Sequence, residues 1–273
     1  MNKKLLVLDI DGTLTNQKKQ ITAKTRETII KMMDMGHSCM LATGRPTPGV
    51  LFIADELEFA LRGGYSLSYN GARVINHKTG EVVFEQKLDN KYIPELFEFA
   101  KTYDCGILTY NEKEVISGTF VDEYVKFEAN LLRLPIKEVE DFDKITFPVN
   151  KCLMTAAPEK AEKLCEVLAE KYKGVMGVFR SEPFFIEIVP LGVDKAKSIE
   201  KVLPILGFDK SDLICCGDGY NDVSMIKFAS EKGVGVAMAN AVAEVKSVAN
   251  FYTLSNEQDG VAWAVEKLVF EKE

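Results

Sequence analysis

Short apolar runs alternate with stretches in which apolar positions recur every three or four residues, and this rhythm dominates both ends of the chain. Leu5-Leu6-Val7-Leu8 predicts a buried strand over 5–9. Residues 22–35 place Thr25, Ile29, Met32 and Met33 on one helical face and stop at Gly36, a residue type suited to a helix end. A second strand is expected over 38–42. From residue 195 the rhythm resumes, with a helix over 195–206 closed by Gly207, a strand over 213–216 and a helix over 223–230. A strand over 234–238 and helices over 242–249 and 258–269 complete it. Alternating strands and helices, with strands that are apolar throughout, predict a parallel sheet covered on both faces.

The middle of the chain has a different pattern. Residues 91–102 read as a helix with Pro94 in its first turn, where proline is tolerated. Paired strands are expected over 105–110 and 115–119, an amphipathic segment over 120–132 and a strand over 151–156. A helix over 158–172 follows, then a hairpin of 175–180 and 184–189 around Glu182-Pro183. The expected organisation is a discontinuous α/β core, residues 1–83 and 190–273, interrupted by an α+β domain over 84–189. The junctions, near Lys78-Thr79-Gly80 and at Pro190-Leu191-Gly192, carry hinge-like residues.

A chain of 273 residues with 47% hydrophobic and 27% charged residues can build a substantial core. Its net charge of −7 gives a nucleic-acid role no electrostatic footprint. No apolar run reaches the length of a membrane span. The Lys3-Lys4-Leu5 start imitates a targeting signal, but Asp9 and Asp11 cut the apolar stretch short. Six cysteines without a C-x-x-C pair read as buried, reduced thiols of a cytoplasmic protein. With only two histidines, a histidine-based zinc site is not expected.

Four polar clusters fall at expected strand ends or helix starts, where open parallel sheets bind ligands. Asp9-Ile10-Asp11-Gly12-Thr13 places two carboxylates beside a turn, and alone it suits an Asx turn with a helix-capping residue as readily as chemistry. Thr43-Gly44-Arg45 offers a hydroxyl and amides, and alone it reads as a loop. Lys195, behind a capping Asp194, sets a cation against the helix dipole, a conflict that an anionic partner removes. In Gly217-Asp218-Gly219-Tyr220-Asn221-Asp222, Asp218 follows a buried run just as Asp9 does. Carboxylates meeting at strand ends call for a hard cation, and oxygen-only ligands favour Mg²⁺.

Together and in this order, the clusters resemble the haloacid dehalogenase superfamily. Asn70-Gly71-Ala72 looks like the segment leading into the cap, and Pro190 to Lys195 like the return from it. Val236 to Ala241 and Ser255 to Val261 resemble the tail of the Cof-type sugar-phosphatase branch, whose cap is of type 2. Ala196 stands where relatives often carry Gly. The resemblance implies a Rossmann-like core with an inserted type-2 cap that acts as a lid, and a Mg²⁺-dependent phosphatase working through an aspartyl-phosphate.

On that resemblance Asp9 is the nucleophile and Asp11 the general acid and base. The metal set is Asp9, Asp11 through its backbone carbonyl, Asp218 and Asp222. The phosphate set is Gly12, Thr43, Gly44, Lys195 and Asn221, with Asn221 orienting Asp218 or Lys195. Arg45, Arg180 and Glu187 are candidates for the leaving group, and each also reads as a solvated or salt-bridged residue. The implied partner is a small phosphorylated metabolite, with no nucleic acid and no membrane. Three alternatives remain open: a phosphomutase, a carbon–halogen hydrolase that needs no Mg²⁺, and a catalytically idle phosphate-binding protein.

Overall fold

The computed structural model describes residues 3–272. They divide into two compact units, one holding the residues up to Gly44, Leu51–Phe84 and those from Asp194 onward, the other Arg45–Val50 and Glu85–Val193. The chain opens with β1 (Leu5–Leu8), α1 (Ala23–Asp34), β2 (Ser38–Ala42), α2 (Leu51–Glu56), α3 (Phe59–Arg62), β3 (Tyr65–Ser68), β4 (Arg73–Asn76) and β5 (Val82–Glu85). The second unit holds α4 (Ile93–Thr102), β6 (Gly106–Tyr110), β7 (Val115–Ser117), α5 (Glu123–Leu132), β8 (Ile136–Glu138), β9 (Cys152–Thr155), α6 (Pro158–Lys171), β10 (Met176–Arg180) and β11 (Phe185–Pro190). The first unit then resumes with α7 (Lys195–Leu206), β12 (Leu213–Gly217), α8 (Val223–Ser230), β13 (Val234–Ala237), α9 (Ala243–Val248), β14 (Phe251–Tyr252) and α10 (Gly260–Leu268).

The first unit is an eight-stranded sheet in the order β14-β13-β12-β1-β2-β3-β4-β5. From β14 to β3 every neighbouring pair is parallel, and β4 runs antiparallel to β3. β1 lies at its centre, with Leu8 level with Cys216 on one side and Leu41 on the other. All four of its side chains are fully enclosed. Such burial stabilises by roughly 1.5–3 kcal/mol per large apolar side chain, so the run that identifies the strand also anchors it. After β1 the chain lays β2 and β3 on one side, and on its return lays β12, β13 and β14 on the other. That reversal makes the carboxyl ends of β1 and β12 the ligand crevice of a doubly wound sheet.

Local chemistry sets the helix ends that matter for the site. Thr22 caps α1 by accepting from the Thr25 N–H, and Gly36 follows at φ +95°. Asp194 caps α7 by accepting from the Lys197 N–H, and Gly207 ends it at φ +75°. The Rossmann-like α/β architecture expected of the core is therefore present.

The second unit is a six-stranded sheet in the order β10-β11-β9-β6-β7-β8, antiparallel except where β7 meets β8. Side chains alternate between its faces. Ile107, Ile116, Cys152, Met154, Ile186 and Ile188 pack into a core with residues of α4 and α6. Tyr110, Lys151 and Glu187 belong to the opposite face, against which α5 packs by accepting from Tyr110 Oη on Glu128. This unit is α+β, and it holds Arg45–Val50 in addition to Glu85–Val193. Its amphipathic segment becomes helical only at Glu123, because Asp122 caps it by accepting from the Val125 N–H.

The hydrophobic pattern does not predict α2, α3, β3, β4, β5, β8 or β14. The six cysteines are unpaired. Among the described residues no helix is long and apolar enough to cross a membrane.

Candidate active site

Asp9 follows β1, and its N–H donates to the Cys216 carbonyl at 3.1 Å, tying the ends of β1 and β12 together. Lys195, in the first turn of α7, is 1% exposed. Its Nζ donates to Asp9 Oδ1 at 2.7 Å and to Asp222 Oδ1 at 2.6 Å. Asp222 Oδ2 accepts from the N–H groups of Asp218 (3.0 Å) and Gly219 (2.9 Å). Asp218 Oδ1 accepts from Thr13 Oγ1 at 2.6 Å. The carboxylates of Asp9, Asp218 and Asp222 each offer an oxygen within 4.8 Å of the others.

Gly12, at φ +90°, permits this crowding. A Cβ there would lie 2.3 Å from Asp218 Oδ2. Any other residue would be strained and would push the carboxylate away.

The remaining motif residues lie around this cluster. Asp11 accepts from Lys19 Nζ at 2.7 Å, and its charge adds to the rise of the Asp218 pKa. Thr43, buried at the end of β2, receives the Asn70 N–H on its carbonyl at 2.8 Å. Gly44 lies against the Asn70 amide. Asn221 is exposed and donates to Asn70 Oδ1 at 3.0 Å. Its expected partners, Asp218 and Lys195, are instead held by Thr13, Asp222 and Asp9.

Burial and mutual repulsion make this cluster favour positive charge. Burial pushes the Asp9 carboxyl well above its ordinary range; Asp222 and Asp218 add to the push and Lys195 opposes it. Asp218 is raised to about 6, again chiefly by burial, with the Thr13 hydrogen bond opposing. Burial alone would lower Lys195, yet Asp222 and Asp9 hold it above its usual value, so it stays charged. The Lys195 ammonium pairs with two of the three carboxylates, Asp9 and Asp222. A divalent cation with oxygen preference fits this donor set. Asp9 and Asp218 have the freer oxygens, whereas both Asp222 oxygens already serve Lys195 and two amides.

A family model for haloacid dehalogenase-like hydrolases matches residues 6–265. The chain belongs to that family. A haloacid dehalogenase-like hydrolase from Bacteroides thetaiotaomicron of known structure is 45% identical, with a TM-score of 0.93, over 97% of this chain and 99% of its own. YxeH of Bacillus subtilis, named among the phosphatases, is 32% identical over 98% of this chain and 99% of its own. YitU of the same organism, named a 5-amino-6-(5-phospho-D-ribitylamino)uracil phosphatase, is 27% identical over 94% of each chain. The resemblance read from four short motifs therefore extends over almost the whole hydrolase.

The second unit of this hydrolase holds a polar cluster of its own. Lys151 and Glu187, both buried, are paired at 3.3 Å. Tyr110 Oη donates to Glu128 at 2.6 Å, and the Glu187 Oε2 atom is buried without a hydrogen bond. Burial raises the Glu128 carboxyl, while Lys151 and Arg45 are among the groups that oppose the rise. Arg45, itself buried, thus belongs with this cluster. Arg180 does not. It lies level with Ile186, on the helix-covered face, and pairs with Glu162 of α6 at 3.1 Å. Arg180 and Glu187 therefore point to opposite faces of the sheet.

Sequence reasoning assigned no role to Thr13, Asn70, Asn240, Glu128 or Lys151. Asn240 Nδ2 donates to the Gly12 carbonyl at 2.8 Å, bracing the turn beneath Asp218. The residues around Asn240 carry no sign of that partner, which lies 228 positions away.

Proposed function

We propose that this hydrolase is a Mg²⁺-dependent phosphatase that cleaves a small phosphomonoester through an aspartyl-phosphate on Asp9. The observation that carries the reading is the Lys195 ammonium shared between Asp9 and Asp222, with Asp218 alongside. A buried carboxylate held by a lysine at a strand end is oriented for attack, and its repulsion from a phosphate dianion is offset by positive charge.

Asp9 Oδ attacks phosphorus, forming an O–P bond as the bond to the ester oxygen breaks. Asp11 gives its proton to the departing alkoxide, then takes one from the water that attacks the phosphoryl group and frees Asp9. Lys195, the Thr43 hydroxyl, Asn221 and the amides of Gly12 and Gly44 bind the other phosphoryl oxygens. Asp9, Asp218, Asp222 and the Asp11 carbonyl would hold Mg²⁺, and the ion would supply charge neutralisation between nucleophile and phosphate.

A phosphorylated sugar or polyol is the proposed substrate class, and the ribityl phosphate ester named for YitU is a relative's example of it. Arg45 and Glu187 are the proposed contacts of the leaving group, with Lys151 donating to Glu187 at 3.3 Å and Tyr110 to Glu128 at 2.6 Å beside them. Arg180, paired on the other face, is left as a structural ion pair. Unpaired cysteines are in keeping with a cytoplasmic enzyme.

The test is phosphate release from a panel of sugar, polyol and nucleoside monophosphates, with Mg²⁺ and with EDTA. Release that depends on Mg²⁺ is expected. Turnover undiminished in EDTA, or no release from any ester, contradicts the reading.

A further inference from the structure

Tyr69, Asn70 and Gly71 follow β3 with φ values of +54°, +56° and +112°. Two residues with side chains are thus held in a left-handed conformation that such residues rarely adopt. Backbone strain of this kind persists only where the surroundings over-determine it. Here they do so through contacts with three separate segments of the proposed site, all within the first unit.

The Asn70 N–H donates to the Thr43 carbonyl at 2.8 Å. The Asn70 side-chain amide lies over Gly44, where a Cβ would stand 3.1 Å from Nδ2 and 3.2 Å from Oδ1. Asn70 Oδ1 accepts from Asn221 Nδ2 at 3.0 Å. The Gly71 carbonyl accepts from Ser198 Oγ at 2.8 Å, and a Cβ on Gly71 would lie 2.8 Å from the Asp194 carbonyl. Asp194 and Ser198 belong to the first turn of α7, on either side of Lys195. One strained turn therefore touches the Thr43-Gly44 loop, the Asn221 loop and the Lys195 helix.

We propose that Asn70 is the positioning residue of the phosphoryl-binding groups: its left-handed turn and its side-chain amide fix Thr43, Gly44 and Asn221 against the helix that carries Lys195. This rests on the reading of those four residues as phosphate ligands. Hydrogen bonds that preset binding groups before the ligand arrives lower the cost of binding it. Glycine adopts the same turn without strain. Asn70→Gly therefore removes the amide while leaving the backbone relaxed.

The experiment measures kcat, KM, inhibition by orthovanadate and thermal stability for wild type, Asn70→Gly, Asn70→Asp, Gly44→Ala and the Asn70→Gly/Gly44→Ala double variant, all with Mg²⁺. For Asn70→Gly we expect kcat/KM to fall about tenfold and vanadate to bind about tenfold more weakly, as loss of roughly one hydrogen bond implies, with Tm unchanged or raised. Asn70→Asp, of equal shape, should weaken vanadate binding further, because it sets a negative charge beside the anion. Gly44→Ala should also lose affinity, and the double variant should be no worse than either single one, since the methyl then has room.

An Asn70→Gly enzyme with wild-type kcat/KM and vanadate affinity overturns the proposal. So does a double variant whose losses simply add, or an activity loss that only tracks a lowered Tm. A wild-type chain that neither releases phosphate nor binds vanadate overturns the parent reading as well. One that does both, with Asn70→Gly unchanged, overturns the positioning role alone.

Discussion

Lys195 shows how closely stability and chemistry are joined at the scale of one residue. Its ammonium neutralises two buried carboxylates, at 2.7 Å and 2.6 Å. Lys195→Met would leave Asp9 and Asp222 buried without a counter-charge. Breaking a buried pair in this way costs about 3–5 kcal/mol. Urea unfolding at pH 7 should show a loss of that size. A loss below about 1 kcal/mol would mean that the lysine is not their main partner.

Asp9, Asp218 and this lysine were legible because each follows an apolar run or a capping aspartate. Thr13, Asn70 and Asn240 were not. Their roles are hydrogen bonds to groups far along the chain, as in Thr13 to Asp218 and Asn240 to Gly12, and local periodicity carries no trace of such partners. Gly12 lies between these cases. A turn was readable there, but only the structure shows Asp218 in the space its Cβ would fill.

Among the elements, β1, β2, β12 and α7 were readable, because burial on both sheet faces or a capped amphipathic stripe writes itself into the residue pattern. β3 was missed for the converse reason. Its Ser66 and Ser68 are fully buried but polar, and they are satisfied by partners on or near β4 rather than by apolar neighbours. Ser66 Oγ and His77 Nε2 lie 2.6 Å apart, and burial lowers the His77 pKa, with Asp55 opposing. A histidine depressed in the folded state contributes stability that is present above its unfolded value, near 6.5, and is lost as pH falls through the folded one. The urea midpoint should therefore decline below about pH 6.5. His77→Gln keeps a polar partner for Ser66 without a titrating ring, and should flatten that decline. Parallel profiles for the two proteins would show that the imidazole is not responsible.

For the whole molecule, the order of the motifs proved more informative than any one of them. Asp9, Thr43, Lys195 and Asp218 come from segments spread over most of the chain, and the parallel sheet brings the ends of β1 and β12 side by side. What the sequence left unread was which polar residues of the second unit act together. Arg180 and Glu187 seemed equivalent as residues, and strand register separates them. An acidic chain of net charge −7 also needs its positive charge concentrated where an anion binds.

Mg²⁺ should therefore raise Tm, as any ligand of the folded state does. Asp218, raised to about 6, contributes stability below its unfolded value that is lost as pH rises through 6 in the metal-free protein. Protons and Mg²⁺ compete for it, so the Mg²⁺-induced rise in Tm should be large at pH 7.5, shrink through about pH 6, and fall away in Asp218→Asn. A rise independent of pH and of Asp218 would place the ion elsewhere.

The central claim is that Asp9 itself becomes phosphorylated. A single turnover of a ³²P-labelled phosphoester that the enzyme hydrolyses, quenched in acid and mapped by peptide, tests it most directly. Label should appear on the peptide carrying Asp9 and be chased by unlabelled ester. In Asp9→Asn both label and turnover should be absent, with kcat down by on the order of 10⁴-fold or more and the fold intact by circular dichroism. Label on another residue, or rapid hydrolysis by Asp9→Asn, would contradict it.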